Sequence, residues 1–507
     1  ASMKDSNSVA GMQIATGTGK ALRLMHDGDR GQLVRASGGM DLQLDGFVQA
    51  SGTMSIERSD VTFKLAGNGI APRPSVDTRV LTIGGTGLNA FVGINGPYRS
   101  DTNGDGVVDL SDDTNPSAIG VTVSNAEFGV ALAWDKAAAS QRSWVAVQAT
   151  ASEVALVGVQ GVTATAQNLK VELNLVNNPL ASTLERYQVL DWAAQPFKVS
   201  TGYATQIELK MDGSRGELIR ATGDFEVGAA GFVHARGSMG LEKSTTTVQL
   251  ADKSLVVVDQ LLLGGQNLDI FAGVGGPYRI DSNLDGVIDA NDQVNASAVG
   301  FAMTGGEFAV AMLSPTAGQP LRYSGMSWLG IEAGASVIQF VGVPQLDLKV
   351  SRLEVVANQV FNVPDGVDEA TQVVDFKAKP VLVPTATGVT RTLDVQGDRG
   401  ALLRASGDIE MRVGDFFYVG GSLGFEKSTR LITLSDGRIV SHDVMTLGGA
   451  NLQAFAGLNG GPLVDSNNDG KIDSNDTPAL GAMGFSLADV DFGLVLAAER
   501  EMVRETL

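Results

Sequence analysis

Three stretches of the chain space oxygen-bearing side chains as a metal ion would require. The first is Asp101-Thr102-Asn103-Gly104-Asp105-Gly106-Val107-Val108-Asp109-Leu110-Ser111-Asp112, with candidate ligands Asp101, Asn103, Asp105, Val107, Asp109 and Asp112. The second offers Asp281, Asn283, Asp285, Val287, Asp289 and Asp292, and the third Asp465, Asn467, Asp469, Lys471, Asp473 and Asp476. A calcium ion takes roughly six to eight oxygens at about 2.3–2.6 Å, so short acidic and amide side chains must converge on one centre. Gly106, Gly286 and Gly470 at position six supply the bend. Position seven contributes a backbone carbonyl, which leaves its side chain free to vary, and position nine often acts through water. Aspartate at position twelve is shorter than the glutamate that usually closes such a loop. Magnesium, with its smaller octahedral shell and retained waters, suits the pattern less well. The expected cofactor is Ca2+, about three ions, one per loop.

The loops are carried by three copies of one unit. Asp29-Arg30-Gly31-Gln32-Leu33-Val34-Arg35-Ala36-Ser37-Gly38 returns from Ser214 to Gly223 and again from Asp398 to Gly407. Met54-Ser55-Ile56-Glu57-Arg58-Ser59 returns from Met239 to Ser244 and from Leu423 to Ser428, and Trp144 matches Trp328. The repeat length is about 184 residues. Copy one is longer in the turn Gly67 to Pro74, where insertions are tolerated. The expected units are residues 1–186, 187–370 and 371–507. The third reads as truncated, because nothing in it matches Trp144 to Asn178 or Trp328 to Asn358. It is expected to belong to a longer array whose neighbouring units abut.

Positioning these loops falls to β-structure. The 63 glycines, the 43% hydrophobic and 19% charged residues, and the absence of any convincing long amphipathic helix argue for an all-β fold rather than disorder. From Val233 to Glu242 apolar or small residues alternate with mostly polar ones, which predicts a strand with the apolar row buried and the other wet. Ala251-Asp252-Lys253-Ser254 and Ser435-Asp436-Gly437-Arg438 read as hairpin turns. The expected architecture is therefore antiparallel meanders, sandwich-like or solenoid-like, with one loop per repeat.

Composition also excludes partners. A formal charge of -20 without a Lys/Arg cluster argues against nucleic acid, and the lack of an apolar run of spanning length argues against a membrane span. With no cysteine there is neither a disulfide nor a thiolate nucleophile. Ala1 to Ser6 have no signal-peptide core, so any export signal is expected to lie outside this segment or to have been removed.

The twelve-residue pattern resembles an EF-hand loop, specifically the dockerin-type variant with aspartate at position twelve. The resemblance covers twelve residues per copy and not the paired loops and helices of a dockerin domain, so it does not imply cohesin binding. The acidic balance, missing cysteine, glycine-rich repeats and metal loops together resemble the giant repetitive exported proteins of bacteria, including adhesins that fold outside the cell around calcium. The Gly-Gly-x-Gly-x-Asp nonapeptides of that class are missing.

Other side chains admit two readings each. Arg30, Arg35 and Glu57, with their counterparts, form a ligand-reading cluster or, as the plainer expectation, cross-strand ion pairs on the exposed face. Glu127, Glu307 and Asp491 are outer acids for the metal loops or ordinary surface carboxylates. His26, His234 and His442 occupy non-equivalent positions and read as isolated strand or surface residues, which leaves no repeated triad. Gly84-Gly85, Gly264-Gly265 and Gly448-Gly449 read as turns or bulges, not phosphate loops.

The reading that joins these features is a non-enzymatic, calcium-binding structural repeat region of a large bacterial surface or secreted protein, acting as spacer, scaffold or adhesin stalk. Its expected partners are calcium, neighbouring repeats and other copies in an assembly. A self-assembling layer, sheath or filament subunit is one alternative. A carbohydrate-binding or hydrolytic module is another, and would call for an aromatic platform or an acid pair confined to one unit.

Overall fold

The computed structural model describes residues 11–24, 32–66, 74–106, 108–138, 140–178, 188–284, 291–460, 463–464, 466–467 and 475–500. The chain divides into two compact units, Ala1–Ser152 with Lys170–Ile219, and Glu153–Leu169 with Arg220–Leu507.

The first unit contains β1 (Met12–Gly17), β2 (Lys20–Leu24), β3 (Val34–Leu44), β4 (Val48–Lys64), β5 (Ser75–Ile94) and β6 (Ile119–Asp135), parts of β7 (Ser143–Val157) and β8 (Val162–Asn177), then β9 (Phe197–Ser200) and β10 (Gln206–Leu209). The second contains nearly all of β11 (Leu218–Ala229), then β12 (Val233–Gln249), β13 (Leu255–Val274), β14 (Arg279–Ile280), β15 (Gln293–Val294), β16 (Val299–Pro315), β17 (Ser327–Val341) and β18 (Leu346–Phe361). It continues with β19 (Val381–Ala386), β20 (Val389–Leu393), β21 (Leu402–Val413), β22 (Phe417–Thr433), β23 (Ile439–Leu458), β24 (Leu463–Val464), β25 (Thr477–Pro478) and β26 (Met483–Glu499).

The hydrogen-bonded order is β3-β4-β5-β6-β7-β8 in the first unit and β11-β12-β13-β16-β17-β18-β21-β22-β23-β26 in the second. Neighbours pair antiparallel, as in β4 with β5, β12 with β13 and β22 with β23. The protein is all-β, built of antiparallel meanders. Its turns explain the registers. Asp252 Oδ1 accepts from Ser254 N at 2.8 Å with Lys253 at φ 70°, and Gln249 pairs Leu255 across that turn. Asp436 Oδ1 accepts from Arg438 N at 3.0 Å with Gly437 at φ 85°, and Thr433 pairs Ile439. Both are side-chain-stabilised turns of the expected kind.

The three Gly-Gly pairs lie inside long strands. Register shifts follow directly, between Gly85 and Leu88, Gly265 and Leu268, and Gly449 and Leu452, so each pair opens a bulge. The lengthened turn of copy one falls almost wholly outside the described residues.

The core forms where a small hairpin covers one face of a meander. In the first unit β9–β10 lies on β4, β5 and β6, and in the second β19–β20 lies on β12, β13 and β16. Phe63, Val80, Ala131 and Trp144 thereby pack with Trp192, Val199 and Leu209. Val248, Val258, Ala311 and Trp328 pack with Phe376, Val383 and Leu393. The hairpin at 197–209, which the repeat boundary assigns to copy two, belongs spatially to the first unit.

One expectation is corrected. Along β12 the apolar row faces outward at Val233, 45% exposed, and Leu241, 39% exposed, whereas Glu242 is fully buried. The hairpin backbone covers the polar row, because Gly240 in that row lets Pro384 approach it closely.

One buried hydrogen bond of the first core is missing from the second. Asn174 is buried, donates to Leu190 O at 3.0 Å, and its Oδ1 accepts from Trp192 Nε1 at 3.0 Å. Its counterpart Asn358 donates to Val374 O at 2.7 Å, but Phe376 replaces the tryptophan and the Asn358 Oδ1 is left without a partner. A buried unsatisfied carbonyl costs about 1–3 kcal/mol. Phe376→Trp should therefore raise the thermal midpoint of the second unit, by about 1 kcal/mol of stability, because smaller neighbours, Val248 and Val381, stand where the first unit has Phe63 and Phe197. Calorimetry checks this, and a lowered midpoint would show that the pocket has no room for an indole.

Candidate functional site

Each loop rises from a short antiparallel stem between two long strands. Arg99 bridges Thr114 in copy one, Arg279 and Ile280 pair Val294 and Gln293 in copy two, and Leu463 and Val464 pair Pro478 and Thr477 in copy three. The first loop is described except for Val107. Asp285, Val287, Asp289, Asp465, Asp469, Lys471 and Asp473 also lie outside the described residues.

In the first loop the side chains curl the backbone about Asp101. Its Oδ1 accepts from Gly104 N at 2.7 Å and its Oδ2 from Gly106 N at 2.9 Å, with both glycines at positive φ, 75° and 81°. Few other residues adopt that backbone readily. Asn103 Oδ1 accepts from Asp105 N at 2.9 Å, and Asp109 Oδ1 accepts from Ser111 N at 2.8 Å. The Ser111 hydroxyl and N–H hold the Asp109 carboxyl below the usual range. The donor set is all oxygen, which suits a hard cation. Among the described residues, however, no three acidic or histidine side chains converge on one point. In the first loop the side-chain oxygens of Asp101, Asn103, Asp109 and Asp112 instead accept from backbone N–H groups of the loop itself.

Position twelve acts as a clasp. Asp112, Asp292 and Asp476 are all buried, at 4%, 4% and 8% exposure. Each accepts at 2.9 Å from the N–H of position two, Thr102, Ser282 or Ser466. The position-two hydroxyl in turn accepts the N–H of position thirteen, from Asp113, Gln293 or Thr477, at 3.0–3.1 Å. Asp112 also accepts from Asp109 N at 2.9 Å, and these backbone bonds hold its carboxyl below the usual range. Arginine anchors two of the clasps, Arg99 to Asp112 O and Arg279 to Asp292 O, whereas Leu463 stands there in copy three. The hydroxyl at position two recurs in all copies, and that was the sequence signal for this clasp.

The recurrent arginine and glutamate form ion pairs, but not exposed ones. Arg35 Nη2 meets Glu57 Oε2 at 2.6 Å and Arg220 Nε meets Glu242 Oε2 at 2.9 Å, with Glu57 and Glu242 at 2% and 0% exposure. Strand phase puts the carboxylate on the covered face, so loss of its partner would strand a buried charge. In copy three Glu426 pairs with Arg399 and Arg430. Arg30 and His26 lie outside the described residues. Glu307 pairs with Arg391, Asp491 accepts from Asn451 N, His234 bonds Glu226, and His442 Nδ1 lies 3.0 Å from Val440 O.

Sequence reading missed a polar cleft of about 260 Å³ in the second unit, lined by Glu332, Glu354, Arg391, Asp394, Arg399 and Arg404 among others. Asp394 N donates to Glu332 Oε1 at 3.1 Å. Gln148 and Lys210 occupy the equivalent positions in the first unit, so this acid pair is confined to the second. No aromatic residue lines the cleft.

No protein-family model matches the chain, and neither a curated protein nor a solved structure does. Among the described residues no helix is long and apolar enough to cross a membrane.

Burial pushes the Glu332 carboxyl above its ordinary range, and the Asp394 charge adds to the shift. A carboxyl that holds its proton more tightly when folded favours folding below its unfolded pKa, and that stability is lost as pH rises through the folded value. Glu332→Gln should therefore raise the melting temperature at pH 7, and the gain should vanish below about pH 4. Melting curves across pH check the sign.

Proposed function

We propose that this chain is a calcium-binding structural repeat region of a large bacterial surface or secreted protein, a spacer or stalk stiffened by calcium outside the cell. One observation carries the reading. Oxygen side chains at positions one, three, five, nine and twelve and glycine at six recur in all three copies, while position four changes from Gly104 to Leu284 to Asn468. The curled first loop and the stems beneath all three loops support it, because a cation entering such a loop would replace N–H contacts with coordination and tie the ends of two long strands together. Four aspartates crowd each loop in a chain of formal charge -20, so removing the cation would leave carboxylates to repel one another.

Calorimetric titration of chelator-stripped protein should give about three calcium sites with weak competition from magnesium. Calcium at a hundredfold excess over Kd should add roughly 2.7 kcal/mol per site, so chelation should lower the melting temperature and increase proteolysis near the loops. Asp101→Ala should remove one site and leave two. A stoichiometry of zero, with melting unchanged by chelator, contradicts the reading.

A further inference from the structure

The polar cleft of the second unit holds charges that the fold leaves unused. Glu332, Val356 and Arg404 stand in one row across β17, β18 and β21, and Glu354 lies two residues from Val356 on the same face. Val356, Val395 and Leu402 are buried and give the cleft an apolar floor. Of its three arginines two are taken, Arg391 by Glu307 and Arg399 by Glu426. The third is released by a change of residue. Arg35 and Arg220, the counterparts of Arg404, pair across the strands with Glu57 and Glu242, but Arg430 stands where the other copies have Val61 and Thr246, and it shares Glu426 with Arg399. Among the described residues the side chains of Arg404 and Glu354 enter no hydrogen bond or ion pair.

The first unit uses the same ground for an ion pair of its own. Lys170 Nζ meets Glu172 Oε1 there at 2.8 Å, whereas Glu354 and Val356 occupy these positions in the second unit. Glu332 and Asp394 replace Gln148 and Lys210, and the bond from Asp394 N to Glu332 Oε1 holds these two residues together. They stand two strands, about 10 Å, from the Arg404 backbone. The cleft thus sets three carboxyl groups against one unpaired guanidinium over an apolar floor. Its complement is an organic cation that also carries a carboxylate and an apolar stem. A bare metal ion does not fit, since among the described residues no three acidic side chains converge.

We propose that this cleft binds a free basic amino acid, with its α-carboxylate on Arg404, its α-ammonium at Glu354, its methylene stem over Val356 and its cationic head between Glu332 and Asp394. Arginine fits better than lysine, because a planar guanidinium can donate to two carboxyl groups at once. Its stem covers apolar surface while its charged ends meet partners, as long basic side chains do within proteins. The inference does not rest on the calcium reading.

Titration calorimetry of the full 507-residue chain with L-arginine tests it. One site per chain is expected. Citrulline, which keeps the shape of arginine without the charged head, and agmatine, which lacks the carboxylate, should each bind about tenfold more weakly. Arg404→Gln should weaken arginine binding by a similar factor and leave agmatine binding unchanged, a selectivity that a merely structural role would not produce. Glu332→Gln, a variant expected to melt higher than the unmodified chain, should weaken the binding of both. No binding of arginine at millimolar concentration, citrulline bound as tightly as arginine, or equal losses for arginine and agmatine in Arg404→Gln overturns the proposal.

Discussion

Each core depends on how closely a hairpin backbone can approach a sheet. A carbonyl oxygen lies 2.3–2.4 Å from where the Cβ of Gly84 or Gly264 would stand, so no residue but glycine leaves room for it. That approach closes an apolar layer over Val80 and Trp144 in one unit and over Val258 and Trp328 in the other. It also covers the central polar row of the sheet, and the buried Glu57 and Glu242 must then carry their arginines with them. The hairpin that closes a meander comes from the segment after it.

Much of this was legible in the sequence. Strand character, the antiparallel turns at Asp252 and Asp436 and the bulges at the glycine pairs follow from local rules, because a turn residue or a bulge acts over a few positions. Strand phase was not legible. Val233 and Leu241 look like an inward row, and only the glycine-floored approach of Pro384 turns the other row, with Glu242, inward. Ownership of the hairpin at 197–209 was hidden for a similar reason, since a repeat boundary drawn by self-similarity has an arbitrary phase.

The loops divide in the same way. Their oxygen spacing is visible in the sequence, and so is the glycine bend at Gly106, which the structure places at φ 81°. The clasp was not visible, because aspartate at position twelve suits either a ligand or a backbone acceptor, and only geometry shows Asp112, Asp292 and Asp476 turned to the N–H of position two. The clasp ties the loop ends together through hydrogen bonds of the chain alone. The acid pair at Glu332 and Asp394 escaped notice because its members lie far apart in the chain and recur in no other copy.

Hydrogen exchange read by mass spectrometry on three glycine-to-alanine variants tests the central role of the hairpin approach most directly. Gly84→Ala should lower protection in residues 197–209 and Gly264→Ala in residues 381–393, each by about 1–3 kcal/mol of opening energy. Gly448→Ala, at the same repeat position with open space above it, should change neither. Equal effects from all three variants, or hairpins as protected as in the unmodified chain, would contradict the account.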